Sequence, residues 1–476
     1  MNRENKEELK QNNSSVAIKS GIWFTICNII TKSIGFLTTP LFTRILTKTE
    51  FGDYINFTTW MSIFLYITSL NLEASIIRAR FDHKDDMDSY VSSMTCLSIV
   101  STIVFFIITM LFIRPIENLV SLNQTQICAL FLYLFFYPAI QLYQTKERFE
   151  YKYKSTVFIT LLVVLGTSAL SVVLTLLMED KLQGRIIGTV LPVCVIGLVI
   201  QLIMLYKSKS IKIKYWKYAL PFTLPFIPHL LSMYLLGSMD KVMIRQICGS
   251  EDLAVYGLAY TVGTIVSLLV NSMNGAFSPW LGEQLNAKNY SRIRKVSVPY
   301  VAFFSFFAIM AVLISPEVLL VLGGDGYSEA RYVIPLVFAG CLMQFVYCMF
   351  VNVEQYHKRT IGMAIASIAA ALFNYVTNYV FIRKYGYIAA AYTTFFSYFI
   401  LMLLHMYLVY KIEKKGVFNN IRVMIISALG SLLLIGTNLI IDFAVLRYCI
   451  FAAFVATSLG LAYKYRNVIR NYIFRR

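Results

Sequence analysis

The chain has 476 residues, of which 58% are hydrophobic and only 14% charged, and its 43 Lys and Arg against 25 Asp and Glu give a net charge of +18. A soluble domain carries about 25% charged residues. A mean hydropathy of +0.65, with apolar runs of about 20 residues from end to end, therefore excludes a water-soluble fold and predicts an all-α polytopic membrane protein. The positive charge falls in alternate connecting segments, which is the pattern of a membrane protein with a positive inner side and not of a nucleic-acid binder.

Fourteen transmembrane helices are predicted, at about 17–43, 51–77, 90–113, 125–144, 156–178, 184–206, 218–240, 253–280, 296–322, 332–356, 361–382, 387–410, 423–441 and 445–463. The first 20 residues are polar and the apolar run after them is long, which argues against a cleaved signal peptide. With the N-terminus in the cytoplasm, the inner segments hold 31 Lys and Arg and the outer segments 11, and Lys32 lies inside helix one. This asymmetry orients a multi-pass protein of the cell membrane with both termini cytoplasmic.

Helix one carries Thr25, Asn28, Lys32, Gly35, Thr39 and Thr43 at spacings of three or four, on one face. Lys32 lies about midway along the helix, too deep for easy snorkelling. With Asn28 and Thr39 it is expected to line an aqueous lumen. Helix two ends LNLEASIIRARFDHKDD, where Glu73 and Arg80 are seven residues apart on one face and Arg78 lies near the inner surface. Arg78 and Arg80 are candidates for anionic cargo, and Glu73 is either an interfacial ion-pair partner or a cation-coupling group. The acidic stretch FDHKDDMD reads as a solvated turn.

Helix seven opens YALPFTLPFIPH, and Pro221, Pro225 and Pro228 remove backbone donors there. They are expected to bend or unwind it as a hinge. Further along, His229, Ser232, Leu236 and Asp240 share a face. His229 is either a cavity residue or a core histidine bonded to a neighbouring helix. Asp240 and Lys241 either cluster with Arg245 at the outer end or serve gating or ion coupling. Glu354, at the inner end of helix ten, has the same two readings. A charge at the bilayer centre costs roughly 2.5–3.5 kcal/mol on insertion scales, so each such group needs an explanation.

A weak repeat runs through the chain. Arg44, Thr49-Glu50 and Tyr54 recur as Arg245, Ser250-Glu251 and Tyr256, and Gly184 recurs as Gly386, all at an offset of 201–202 residues. The predicted organisation is an N-terminal six-helix bundle (1–206), a basic cytoplasmic linker (207–217), a second six-helix bundle (218–411), and two extra helices with a basic tail (412–476). Six is even, so the halves share an orientation and relate by an axis along the membrane normal.

Enzymatic motifs are lacking. There is no GxxxxGK[ST] phosphate loop, no nucleophile elbow and no HExxH site. The eight cysteines are scattered without metal-ligand spacing, so neither a metal nor a cofactor is expected. Cationic groups facing a lumen suit an anionic cargo such as a diphosphate.

Five stretches resemble the Wzx-type polysaccharide and O-antigen flippases of the multidrug/oligosaccharidyl-lipid/polysaccharide exporter superfamily. They are LFTRILTKTEFGDY (41–54), DKVMIRQICGSEDLAVYGLAY (240–260), AFSPWLGEQL (276–285), LGGDGYSEARYVIPLVFAG (322–340) and NYVTNYVFIRKYGYIAAAYTTFFSY (374–398). The resemblance implies a V-shaped cavity between two bundles and alternating access. Its implied cargo is an undecaprenyl-diphosphate-linked oligosaccharide, moved from the inner to the outer leaflet. It also implies coupling to protons or sodium and a place beside polysaccharide assembly proteins. A drug exporter of the same superfamily is the alternative. A membrane glycosyltransferase or polymerase fits less well, because no outer loop reaches 20 residues.

Overall fold

The computed structural model describes residues 29–464 except 151, 209 and 415, together with 23, 26, 27 and 466. Their regular structure is helical. Among the described residues, eleven helices are long and apolar enough to cross a membrane, or twelve if Lys48–Thr68 and Leu72–Asp82, bent by 45°, form one span. That is fewer than the fourteen expected. Helix α1 (29–45) has only 17 described residues, and the apolar part of the last helix, Ala444–Gly460, is equally short. About 20 residues cross the hydrocarbon core.

The chain forms two compact units, Met1–Ala254 and Val255–Arg476. In the first, α2 (Lys48–Thr68) starts at a capping box in which Thr47 and Glu50 satisfy each other's backbone N–H, and α6 (Gln124–Phe149) starts at another, Asn123 with Gln126. Such boxes settle donors that a helix start leaves orphaned. Leu70 and Asn71 adopt positive φ and end α2. A 3₁₀ turn (Leu72–Ser75) and the short α3 (Ile76–Asp82) follow. Helices α4 (Met87–Leu111), α5 (Ile113–Val120), α7 (Tyr153–Leu177) and α8 (Lys181–Ser208) complete the first bundle. Gly184 and Gly188 sit against α7 so closely that a Cβ would lie 2.5 Å from Leu174 O and 2.3 Å from Ser171 Cα. Close backbone approach at small residues is how helices pack in lipid.

The acidic stretch at the end of α3 is largely solvent-exposed, as expected, and Asp82, Asp86 and Asp88 are also paired. Asp82 accepts from Tyr218 Oη at 2.5 Å, Asp86 from Lys212 Nζ at 2.5 Å and from Tyr215 Oη, and Asp88 pairs with Lys146. His83 is ringed by Tyr90, Tyr215 and Tyr218. The basic linker therefore docks on the acids of the preceding turn.

The proline-rich segment forms α9 (Ile213–Thr223), a 3₁₀ turn (Leu224–Phe226) and α10 (Ile227–Ile247). Helix α10 was expected to open the second bundle. It belongs to the first unit, where it lies along α2, with Tyr234 Oη donating to Thr59 O at 3.4 Å. The paired turns of the repeat meet at its far end. Arg245 Nε is 2.9 Å from Asp53 Oδ1, Ser250 Oγ donates to the same oxygen at 2.7 Å, and Thr49 Oγ1 donates to Glu251 at 3.3 Å. Gly52 makes room for this contact, since a Cβ there would lie 1.9 Å from Ser250 O.

The second unit comprises most of α11 (Ser250–Asn286), then α12 (Tyr290–Leu313), α13 (Ser315–Gly323), α14 (Ile334–Tyr356), α15 (Thr360–Tyr385), α16 (Tyr387–Ile412), α17 (Asn420–Gly436) and α18 (Ala444–Lys464). Helix α14 is its core, buried almost all round. Phe304 and Phe345 stack at 4.2 Å between α12 and α14. The last helix is tied in by Arg447, which pairs with Glu317 at 2.8 Å and donates to Leu313 O at 2.6 Å.

Candidate functional site

The first unit holds a half-open polar cavity of about 280 Å³ where α1, the 3₁₀ turn, α6 and α7 converge. Tyr137, Gln141, Gln144, Thr145 and Arg148 reach it from α6. Their spacings of three and four put them on one helical face. Thr156 and Thr160 face them from α7, Cys27 lies on the α1 side, and Glu73 enters from the 3₁₀ turn. Glu73 can do so because the chain turns at Leu70 and Asn71, both at positive φ. Gln144 Nε2 donates to Thr160 Oγ1 at 2.9 Å. The turn leading from α6 to α7 is held by charge, with Lys152 Nζ 2.5 Å from Glu150 Oε2. This hydrogen bond holds the Lys152 ammonium above its usual range.

Amides and hydroxyls make up most of this wall, with one carboxylate and one guanidinium. Amides and hydroxyls both give and accept hydrogen bonds and so match sugar hydroxyls. A guanidinium presents a planar fork suited to a phosphoryl group.

The residues singled out in the sequence are placed as follows. Asn28 lies outside the described residues. Lys32 is exposed and does not line the polar cavity. It sits five residues past Cys27, so it points about 140° away around the helix. Thr39 is buried, and its hydroxyl is spent on Gly35 O at 2.9 Å. The polar stripe of helix one is thus split between an exposed lysine and self-satisfied threonines. Arg78 is exposed and pairs with Asp82 at 3.3 Å, while Arg80 is half-buried beside Phe81. Glu73 reaches the polar cavity with Arg148, which the sequence reading overlooked.

On α10, His229 and Lys241 are half-buried. Asp240 is fully buried and accepts from the Lys241 backbone N–H at 2.8 Å. Arg245, offered as a neighbour for Asp240 and Lys241, takes Asp53 instead. Pro225 lies in the 3₁₀ turn between α9 and α10, flanked by Pro221 inside α9 and Pro228 in the first turn of α10.

In the second unit Glu354 is fully buried, and its Oε1 lies 2.7 Å from His405 Nδ1 on α16, itself 1% exposed. Asn374, Asn378, Thr393 and Thr394 form a buried hydrogen-bonded network between α15 and α16. Among the described residues no group of His, Cys, Asp and Glu is arranged to hold a metal ion. Residues missed in the sequence include Arg185, buried in an aromatic cage 3.6 Å from the Tyr54 ring centre and 3.9 Å from that of Phe42. Nothing in the linear pattern marks it.

This arrangement of helices has counterparts among solved membrane proteins. The structure is similar to the inward closed conformation of the lipid II flippase MurJ, with a TM-score of 0.68 and 16% identity over 94% of this chain and 100% of that one. It is also similar to an inward-facing multidrug resistance MATE family transporter of the MOP superfamily, with a TM-score of 0.59 and 15% identity over 81% of this chain and 96% of the other. The chain belongs to the polysaccharide biosynthesis protein family, whose model matches residues 17–285. Residues 225–380 also match the MatE model. The Lsg locus putative protein 1 of Haemophilus influenzae is 24% identical over 356 residues, 72% of this chain and 85% of that protein. The protein is therefore a polytopic helical membrane protein of the polysaccharide biosynthesis protein family, with a fold shared by MurJ and the MATE transporter.

Proposed function

We propose that the protein is a flippase for undecaprenyl-diphosphate-linked oligosaccharides, moving them from the inner to the outer leaflet for surface polysaccharide assembly. The observation that carries this reading is the polar cavity of the first unit, whose amide, hydroxyl and guanidinium lining suits a glycan joined to phosphate, in a chain of the polysaccharide biosynthesis family. On the orientation inferred from loop charge, with both termini cytoplasmic, the cavity lies toward the inner face. Helix α1 and helix α18 then complete fourteen crossings.

Gln141, Gln144, Thr156 and Thr160 meet sugar hydroxyls in this scheme, and Arg148 meets a phosphoryl oxygen. Lys32, on the exposed side of α1, receives the diphosphate as the cargo moves outward, with Arg78, Arg80 and His229 along the route. The prolines at 221, 225 and 228 flex between inward- and outward-open states of two six-helix halves descended from one repeat. Glu73, Asp240, Lys241 and Glu354 are the candidates for gating or for coupling to protons or sodium.

Replacing Arg148 by Ala, or Lys32 by Ala, at normal expression is expected to cut surface polysaccharide at least about tenfold, the loss of one charge-assisted hydrogen bond of roughly 1.5–3 kcal/mol. Wild-type polysaccharide in both variants would remove the cavity from the transport path. The match of residues 225–380 to the MatE model favours one other reading, cation-coupled drug export. Drug resistance on overexpression, with surface polysaccharide unchanged in a deletion strain, would decide for it.

A further inference from the structure

The second unit has a cavity that the flippase reading does not use. It measures about 590 Å³ and lies where the end of α14, the start of α15 and the end of α16 converge. Three spans, Ile334–Tyr356, Ile361–Tyr385 and Tyr387–Ile412, terminate there together. The cavity thus sits at the level where hydrocarbon gives way to lipid headgroups.

Its lining is divided. Ile361, Leu408 and Ile412 make an apolar wall, and Lys358, Arg359 and Lys411 bring three cations, all three exposed. Outside the wall, Ile361 and Ile365 are 77% and 64% exposed and continue it as an apolar ridge along α15. The basic loop is held in shape. The backbone N–H of Lys358 donates to Gln355 O at 3.0 Å, that of Arg359 donates to Glu354 O at 2.9 Å, and Lys358 holds a positive φ of 57°. The nearby acid Glu413 is engaged elsewhere, accepting from Tyr290 Oη at 3.1 Å with His357 Nε2 at the same distance.

The floor carries the second observation. Glu354 lines the cavity and is fully buried. His405 occupies its Oε1, while Oε2 is buried with no hydrogen-bond partner among the described residues. A buried acceptor left unmatched is costly, and such atoms in a folded protein call for an explanation. The cavity therefore presents three exposed cations, with Lys411 over the Tyr407 ring at 4.6 Å, one buried acceptor without a donor, and an apolar wall between them.

We propose that this cavity binds a membrane phospholipid whose phosphate is held by Lys358, Arg359 and Lys411 and whose headgroup donates a hydrogen bond to Glu354. The acyl chain lies along Leu408, Ile361 and Ile365. An ethanolamine or glycerol headgroup supplies the donor, whereas choline has no N–H or O–H to give. Basic pockets between transmembrane helices are the expected seat of lipid phosphates. Free phosphate would match the cations alone and leave the apolar wall and the Glu354 oxygen unused. The site stands whether or not the chain moves a lipid-linked glycan.

The test is native mass spectrometry of the purified full chain titrated with dioleoyl phosphatidylethanolamine, phosphatidylglycerol or phosphatidylcholine, with inorganic phosphate as competitor. The wild type is expected to retain one ethanolamine or glycerol lipid and to hold the choline lipid more weakly. A K358N/R359Q/K411Q variant, altered only at exposed positions, should bind on the order of a hundredfold more weakly at about tenfold or less per basic residue. Glu354→Gln should narrow the preference over choline while phosphate-dependent binding persists. Undiminished lipid binding in the triple variant would overturn the proposal. Displacement of the lipid by millimolar phosphate would overturn it in favour of a free-phosphate site.

Discussion

Helices α6 and α14 both carry polar residues into a membrane-spanning unit, and the two units treat them in opposite ways. On α6, Gln141, Gln144 and Arg148 line a cavity. On α14, Glu354 is fully buried with its Oε1 held by His405, and Asn352 is bonded to Asn274 at 2.8 Å. Open polar groups of the first kind are available to a ligand and contribute little to stability. Paired ones of the second kind are structural, because removing one partner strands the other in a low-dielectric interior. The contrast is between side chains that line an open cavity on α6 and side chains paired within the helical core on α14.

The largest expected effect lies in the buried pair. His405→Ala leaves the Glu354 carboxylate buried without its partner and should lower stability by about 3–5 kcal/mol, read as a fall in the midpoint of thermal unfolding in detergent. Arg148→Ala should change stability by no more than about 0.5 kcal/mol, while the proposed transport is expected to fall at least about tenfold. Equal destabilisation by the two substitutions would erase the distinction between the units.

Gly52→Ala comes next. Its methyl group would collide with Ser250 O, and overpacking of this kind typically costs about 1–3 kcal/mol. A variant as stable as the wild type would mean that the repeat-related turns do not rest against each other as described. Asp86→Asn weakens the clamp to Lys212 and Tyr215 and should cost about 0.5–1 kcal/mol, the range of a partly exposed pair. The sign of increased mobility would be faster proteolysis in the basic linker. Smallest is Arg78→Ala, which removes an exposed pair with Asp82 and should cost between about 0 and 0.5 kcal/mol.

The helical membrane class was legible because apolar runs of bilayer length recur through the sequence. The helix ends were less so. The break after α2 depends on Leu70 and Asn71 at positive φ, which no glycine or proline announces. Charge at depth drew attention to Lys32, Glu73, Asp240 and Glu354, of which Glu73 lines the polar cavity and Glu354 meets His405. Their partners, Arg148 and His405, were not foreseen. They lie 75 and 51 residues away in the chain, and pairing over such distances is set by packing and not by local pattern. The acidic turn was legible as solvated, but its partners Lys212, Tyr215 and Tyr218 were not, since they arrive from another segment of the chain. The repeat anchors were visible as an offset, but their mutual contact through Gly52 needed coordinates.

The most direct test of the account is a flipping assay in sealed vesicles. Purified protein is reconstituted with a fluorescent undecaprenyl-diphosphate oligosaccharide, and its accessibility to an external glycosidase is followed over time. The account predicts protein-dependent exposure of the inner pool, slowed at least about tenfold by Arg148→Ala, in line with a lost charge-assisted hydrogen bond. Glycan that stays inaccessible with the wild-type protein, or that flips equally fast in the variant, would contradict it.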